Sequence, residues 1–487
     1  MKLETKKVEI IKRNIMTFIA LDFKIKNLVA CTIVVAGCLS ITSCEDILEQ
    51  NPVNEVDQEI VVTDEQSARA AVAGMYNEMQ SSDYYGDNFI IIGDVSSDIA
   101  QSIGTWDFYR EMDTYEISAA GNTENENFYV RAYSTINIAN NVIEKIPQLS
   151  NISSEAQNEM IGAAHFIRAL AMFDLTRLYG GVPGVVGSKG MPIITTPTNS
   201  LTDVQYPSRP ALEESYRAVE QDLLDALDLL PETGDKSVAS KGAAQALLSR
   251  LYLYLMNYEE VIFYTTAVIS DPKYALNPNF EDIFASKLGS GSIFELNFNS
   301  SDQSGIRNWY NPNGGRGDLT THQSFYEEAT ANPADVRGNL FGFSESNGFY
   351  QTKYQKPGGV DNIHILRVAE MYLNRAEARA HLGDLEGAID DLNVIRTRAG
   401  IGEIETEPST KTGVLEAIWD ERKLEFAFEG HRYFDLMRTD QLMNELKNLS
   451  RMNGPNVSLP GKERAVFPIP AAELDANENL IQNEAYR

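Results

Sequence analysis

Two stretches of this chain, Ala243 to Ile269 and Ala369 to Ile395, are equally long and divided at the same place, and this internal repeat restricts the fold more than any other feature. Each opens with an Ala/Leu-rich helical run, reaches a two-residue turn (Asn257-Tyr258 or Gly383-Asp384), and continues as a second amphipathic helix. In the later copy Tyr372, Ala376, Ala380 and Leu382 face one way, and Ala388, Ile389 and Leu392 answer from the next helix. Small residues at the crossing let antiparallel helices approach closely, which is the packing of a tetratricopeptide-type hairpin. Each hairpin carries an apolar stripe that it cannot bury alone, so neighbours are required. Glu155 to Leu178 with Leu212 to Leu230, and Ala68 to Met79 with Phe128 to Ile146, are the candidates, giving about four pairs. A capping box at Thr63-Asp64-Glu65-Gln66 predicts where the first helix begins.

Two regions have another texture. Ser81 to Asn127 and Asp271 to Val360 are rich in Asn, Gly, Ser and aromatic residues, and Trp309 to Asp318 shows no helical period. Long aromatic loops inside a helical chain are usually where function sits.

The N-terminus suggests a compartment. Lys6, Lys7, Lys12, Arg13, Lys24 and Lys26 precede an apolar run from Leu28 to Ile41, the order of a secretory signal, and the run is too short to span a bilayer stably. It ends in Ile41-Thr42-Ser43-Cys44, which resembles a lipobox with Cys44 as the lipidated first residue after cleavage. Ile41 stands where Leu is usual, Met16 offers an alternative start, and an ordinary secretory signal with a chance Cys is the other reading. Cys31, Cys38 and Cys44 are the only cysteines, so a chain cleaved there keeps one thiol and forms no internal disulfide. The expected organisation is a leader over 1–43, a lipidated N-terminus and tether over 44–62, and a folded part over 63–487.

Removing residues 1–43 leaves 34 Lys and Arg against 67 Asp and Glu, a net charge of −33. Nucleic acid and anionic membrane surfaces are poor partners for such a chain, which favours a neutral or cationic ligand, although acidity also simply keeps an exposed protein soluble.

Four motifs resemble one family. The run from Trp419 to Leu436, with Glu421-Arg422-Lys423-Leu424-Glu425-Phe426 and Glu429-Gly430-His431-Arg432-Tyr433-Phe434-Asp435, is similar to the most distinctive signature of the SusD/RagB outer-membrane lipoproteins. Ala164 to Leu175 leading to Leu178-Tyr179-Gly180-Gly181-Val182-Pro183, Ala369 to Ala378, and Phe467-Pro468-Ile469-Pro470 with Asn479-Leu480-Ile481-Gln482-Asn483 agree with it. The resemblance implies a mainly α fold in which tetratricopeptide-like pairs pack against a loop-rich lobe with little strand, divided into an N-terminal part of about 63–230 and a C-terminal part of about 270–487. It also implies an outer-membrane surface protein, a SusC-like TonB-dependent transporter as partner, a polysaccharide or oligosaccharide ligand and no catalysis. Surface glycoside hydrolysis and capture of peptide or glycoprotein cargo are the competing functions.

The carboxylates of the signature admit two readings. Glu425 and Glu429 beside His431 could form an acid-base centre, or Arg422, Arg432 and Arg438 could neutralise Glu425, Glu429 and Asp435 at helical spacing. Arginines alternating with every carboxylate favour the ion network, because they would hold all the acids ionised. No His or Cys cluster has metal-ligand spacing, no motif calls for a cofactor, and Asp94 with Asp98 lacks the spacing of an EF-hand loop. Sugar binding needs a flat ring to stack on the C–H face of a pyranose, with polar groups beside it to match the hydroxyls. The first loop region offers Trp106 and Tyr109 near Asp98, with Phe108, Gln101 and Arg110; the second offers Trp309 and Tyr310 near Asn308 and Arg316, with Asn311. Trp419 belongs to the signature, so the remaining two tryptophans fall one in each loop region. Each ring could equally plug an apolar gap beneath its loop. Tyr84-Tyr85 is a weaker candidate.

Overall fold

The computed structural model describes residues 62–487 except 233, 405–409, 448, 453–454 and 458; the leader, Cys44 and nearly all of the tether lie outside the described residues. The principal helices are α1 (Glu65–Gln80), α2 (Asn88–Val95), α3 (Asp107–Thr114), α4 (Thr123–Lys145), α5 (Ser154–Leu175), α6 (Leu212–Leu229) and α7 (Lys241–Tyr254). They continue as α8 (Tyr258–Ser270), α9 (Ile306–Tyr310), α10 (Gln323–Thr330), α11 (Val368–Leu382), α12 (Leu385–Arg398), α13 (Lys411–Glu425) and α14 (Arg432–Arg438). The strands are β1 (Ala100–Ser102), β2 (Ser292–Leu296), β3 (Leu319–Thr321), β4 (Phe341–Ser344), β5 (Gly348–Gln351) and β6 (Ile363–Arg367), paired antiparallel as β1 with β3, β2 with β6 and β4 with β5.

The mainly helical expectation holds, and the four pairs are α1 with α4, α5 with α6, α7 with α8, and α11 with α12. Successive pairs touch through α4 and α5, α6 and α7, and α8 and α11, which covers the apolar stripes; Leu382, expected on the α11 stripe, is instead 47% exposed at the end of that helix. Helix α7 buries Ala243, Ala244, Ala246, Leu247 and Leu251, and α11 buries Ala369, Leu373, Ala376 and Ala380. Small side chains on both allow the close crossing that the repeat requires.

The helix-ending turns differ between the copies. Gly383 sits at φ +91°, and the N–H groups of Gly383 and Asp384 donate to the Ala380 and Arg379 carbonyls, closing α11; the Asp384 carboxylate then caps α12 through the Gly387 N–H at 3.0 Å. In the earlier copy Met256 takes the left-handed position at φ +55°, and Tyr258 is already the first residue of α8 rather than part of the turn. The first cap also moves by one residue. Asp64, not Thr63, is the N-cap of α1, accepting from the Ser67 N–H at 2.8 Å while the Ser67 hydroxyl accepts from the Asp64 N–H at 3.0 Å.

The two loop regions are less irregular than their composition suggests. Ser81 to Asn127 holds α2 and α3, and the segment around Trp309 contains the single turn of α9. These elements fold because long-range partners cover them. Gly93 on α2 faces Gly430, where an added Cβ would lie 2.5 Å from the Gly430 carbonyl oxygen, so glycine is required where α2 crosses the loop before α14.

Candidate functional site

Pairing of β1 with β3 brings the two aromatic regions together. Ala100 lies opposite Thr321 and Ser102 opposite Leu319; beyond the strand ends the N–H groups of Ile103 and Gly104 both donate to the Asp318 carbonyl, at 2.8 and 3.0 Å. A Cβ on Gly104 would lie 2.7 Å from the Asp318 side chain, so the chains approach this closely because residue 104 has none. Trp106 follows as the N-cap of α3, and α9 delivers Trp309 from the other side.

The result is an aromatic platform with an arginine at its centre. The Arg316 guanidinium carbon is 4.9 Å from the Trp106 ring centre and 4.5 Å from that of Trp309. Phe108 lies offset-stacked on Trp106 at 5.6 Å and edge-on to Trp309 at 6.1 Å. Trp106 is 48% exposed, Trp309 is half-buried, and Asn308 is exposed. Arg316 donates from Nε to Asp318 Oδ2 at 2.7 Å, with Nη2 at 2.5 Å from the same oxygen. The Arg316 N–H donates to the Asn308 carbonyl at 2.7 Å, which closes the loop between them. Below, the Trp309 indole N–H donates to Asp87 Oδ2 at 3.1 Å; burial pushes the Asp87 carboxyl up to about 7, against the lowering effect of that hydrogen bond. Partly exposed indole rings beside amide, guanidinium and carboxylate groups have the chemistry to pack on a sugar and bind its hydroxyls.

Several sequence candidates lie elsewhere. Tyr109 is buried, packs edge-on beneath Trp309 at 5.1 Å and donates to Asn88 Oδ1 at 3.3 Å, so it supports the platform without reaching its surface. Tyr310 is fully buried, with its hydroxyl on Asp94 Oδ2 at 3.0 Å. Asp98 is buried between Arg432 (2.7 Å) and Lys423 (3.0 Å); burial opposes its charge, but these cations hold its carboxyl well below the usual range. All three are packing or ion-pair residues, because tertiary partners cover the faces that their local sequence left open. Gln101 and Asn311 are buried as well, and Tyr84 and Tyr85 both donate to Asp174 Oδ2, at 2.6 and 2.7 Å. The sequence reading missed Asp87 and Asp318. Asp318 carried a signal, two residues after Arg316 in a glycine-rich loop, whereas Asp87 is tied to Trp309 only by the fold.

The signature residues form a buried ion network, with partners other than those at helical spacing. Arg422 and Arg438 do reach Asp435, at 3.0 and 2.8 Å. Glu425, however, pairs with Arg367 at 2.9 Å and Arg398 at 2.6 Å, and Glu429 with Arg367 at 2.7 Å and Lys353 at 2.8 Å, while Arg432 turns to Asp98. Burial would raise the Glu425 carboxyl, but Arg398, Arg367 and Arg337 hold it down to about 2. Glu429 is lowered in the same way, against burial, by Arg367 and Lys353. Burial also holds the His431 imidazole well below its ordinary value, stacked on Phe426 at 4.7 Å. Acids locked as anions do not supply the protonated partner of an acid-base pair. Among the described residues, His165, Asp222 and Asp225 bring possible metal ligands within 4.8 Å of one another, but Arg168 already holds both Asp222 oxygens, at 2.6 and 2.8 Å.

Comparison with known proteins finds two family matches: residues 290–486 match the SusD family, and residues 46–253 match a family described as starch-binding, associating with outer membrane. A SusD-like protein of Formosa agariphila is 24% identical over 95% of this chain and 99% of its own length. The starch-binding protein SusD of Bacteroides thetaiotaomicron is 33% identical over 26% of this chain and 22% of its own. Among solved structures, a SusD superfamily protein of Bacteroides thetaiotaomicron is similar with a TM-score of 0.74 and 28% identity, covering 87% of this chain and 100% of that one. Another from Bacteroides vulgatus has a TM-score of 0.75 and 25% identity, covering 88% and 100%.

Proposed function

This chain belongs to the SusD-like family, and from that premise we propose that it is a non-catalytic glycan-binding protein of the outer-membrane surface, capturing polysaccharide or oligosaccharide and passing it to a SusC-like TonB-dependent transporter. The observation that carries the reading is the convergence of Trp106 and Trp309 on Arg316 from regions about 200 residues apart, at a surface where one indole is half exposed. Trp106 and Trp309 would stack on sugar rings, and Asn308 and Arg316 would bind hydroxyls. The starch-binding protein named among the relatives supports a carbohydrate ligand. Glu425 and Glu429, held as anions by Arg367, Arg398 and Lys353, support a protein that binds without breaking bonds. Membrane attachment falls to lipid on Cys44; among the described residues no helix is long and apolar enough to cross a membrane.

Native gels containing plant, host-mucosal and microbial polysaccharides test this, with Trp106→Ala and Trp309→Ala variants alongside. Retardation of the wild type by a polysaccharide, abolished by either substitution in a folded protein, is the expected result. Retardation that survives both substitutions would place the ligand elsewhere, and none across the panel would sink the glycan reading.

A further inference from the structure

We propose that the platform selects uncharged glycans and that Asp318 sets this preference by holding Arg316 as one half of an ion pair. The proposal rests on the glycan-binding reading above and narrows its ligand to a chemical class. Ring stacking alone cannot make this distinction, since neutral sugars and uronates both present a C–H face; the charge beside the rings decides it.

Three arginines are carried by the segments that form the platform, Arg110 on α3, Arg307 on α9 and Arg316 in the loop before β3, and each guanidinium is already engaged. Arg316 puts Nε and Nη2 on Asp318 Oδ2. Arg110 pairs with Asp107. Arg307 donates from Nε to the Gln355 carbonyl at 3.1 Å and from Nη2 to the Asn313 carbonyl at 3.4 Å. A carboxylate or sulfate binds arginine best through a two-pronged contact with an unshared guanidinium. An anion approaching Arg316 meets a guanidinium whose charge Asp318 already offsets, and the neighbouring carboxylate works against its binding. A neutral hydroxyl meets no such penalty, because it can accept from the guanidinium and donate to the carboxylate.

Asp318 is also the firmer of the two acids. Its side chain is 23% exposed, against 73% for Asp107, and its backbone is pinned by the two N–H groups donated from Ile103 and Gly104. Its Cβ and Cγ pack against Gly104, within 2.8 Å of where a Cβ there would stand. The carboxylate therefore keeps its place when the platform is occupied, and Asp318→Asn preserves its shape while removing its charge.

The test is titration calorimetry of the full chain at about 150 mM salt, where screening over roughly 8 Å suppresses repulsion from the overall negative charge and leaves the local pair to decide. Soluble neutral polysaccharides (glucan, mannan, arabinoxylan) are compared with alginate, polygalacturonate and chondroitin sulfate, using wild type, Trp106→Ala and Asp318→Asn. The expected result is wild-type binding to a neutral polymer at least about tenfold tighter than to any anionic one, with Asp318→Asn narrowing that gap to about threefold or less. An anionic polymer bound as tightly as any neutral one, and lost in Trp106→Ala, would overturn the inference while leaving the glycan site intact. A tenfold preference unchanged in Asp318→Asn would remove Asp318 from the role. Failure to bind either class would overturn the underlying reading and the inference with it.

Discussion

Replacing Trp106 with alanine should separate binding from folding, and the structure sets both magnitudes. The side chain is 48% exposed and touches Phe108 and the Arg316 guanidinium, so its loss leaves no closed cavity and costs about 1–2 kcal/mol of stability in ring and cation–π contacts. By analogy with ring stacking on nucleic-acid bases, a lost stack weakens binding by roughly 1–3 kcal/mol, about 5- to 140-fold in Kd. Tyr310→Phe is the matched opposite. Its hydroxyl donates to Asp94 within the core, so removing it leaves a buried carboxyl short of a partner and destabilises by about 1–3 kcal/mol, with no direct effect on ligand. Calorimetric titration with the polysaccharide identified by gel retardation gives one axis, and the midpoint of denaturant unfolding gives the other. If Tyr310→Phe lowered affinity as much as Trp106→Ala while keeping the wild-type midpoint, or if Trp106→Ala stayed within twofold of wild type, the division into surface and core aromatics would be wrong.

Other perturbations reach the scaffold. Arg367→Met strips buried Glu425 and Glu429 of a shared partner and should destabilise the fold by about 3–5 kcal/mol, read as a lowered denaturant midpoint at pH 7. Burial lifts the Asp94 carboxyl to about 8 from an unfolded value of 3.8, so between those limits the folded chain keeps a proton that the unfolded chain has released, and stability falls as pH rises. Asp94→Asn should flatten that slope, which is at most about 1.4 kcal/mol per pH unit, in unfolding curves taken from pH 4 to 8. Glu425 has the opposite sign: its contribution is present above pH 4.5 and is lost as pH falls toward about 2, which should steepen the acid limb of the same curves. Cys44→Ser should move the protein from the membrane fraction to the soluble one on cell fractionation; retention in the membrane would remove the lipid anchor from the proposal.

The helical scaffold follows from local signals in the chain. A 3.6-residue period, small residues at the crossings and Gly383 at a helix end are local signals, so the pairs from Ala243 to Ile269 and Ala369 to Ile395 were legible, as was a charged network around the signature. Which loop residues face outward depends on contacts distant in sequence. Asp98 is neutralised by Arg432, 334 positions away, and Glu425 by Arg367 and Arg398 rather than by the arginines of its own run. In irregular segments no period marks the buried side, and a partner hundreds of residues distant settles whether Tyr109, Tyr310 or Trp106 meets solvent. The same dependence made the platform: the two tryptophans were visible one by one, but their meeting over Arg316 comes from the three-residue pairing of β1 with β3, too short to leave a pattern in either strand.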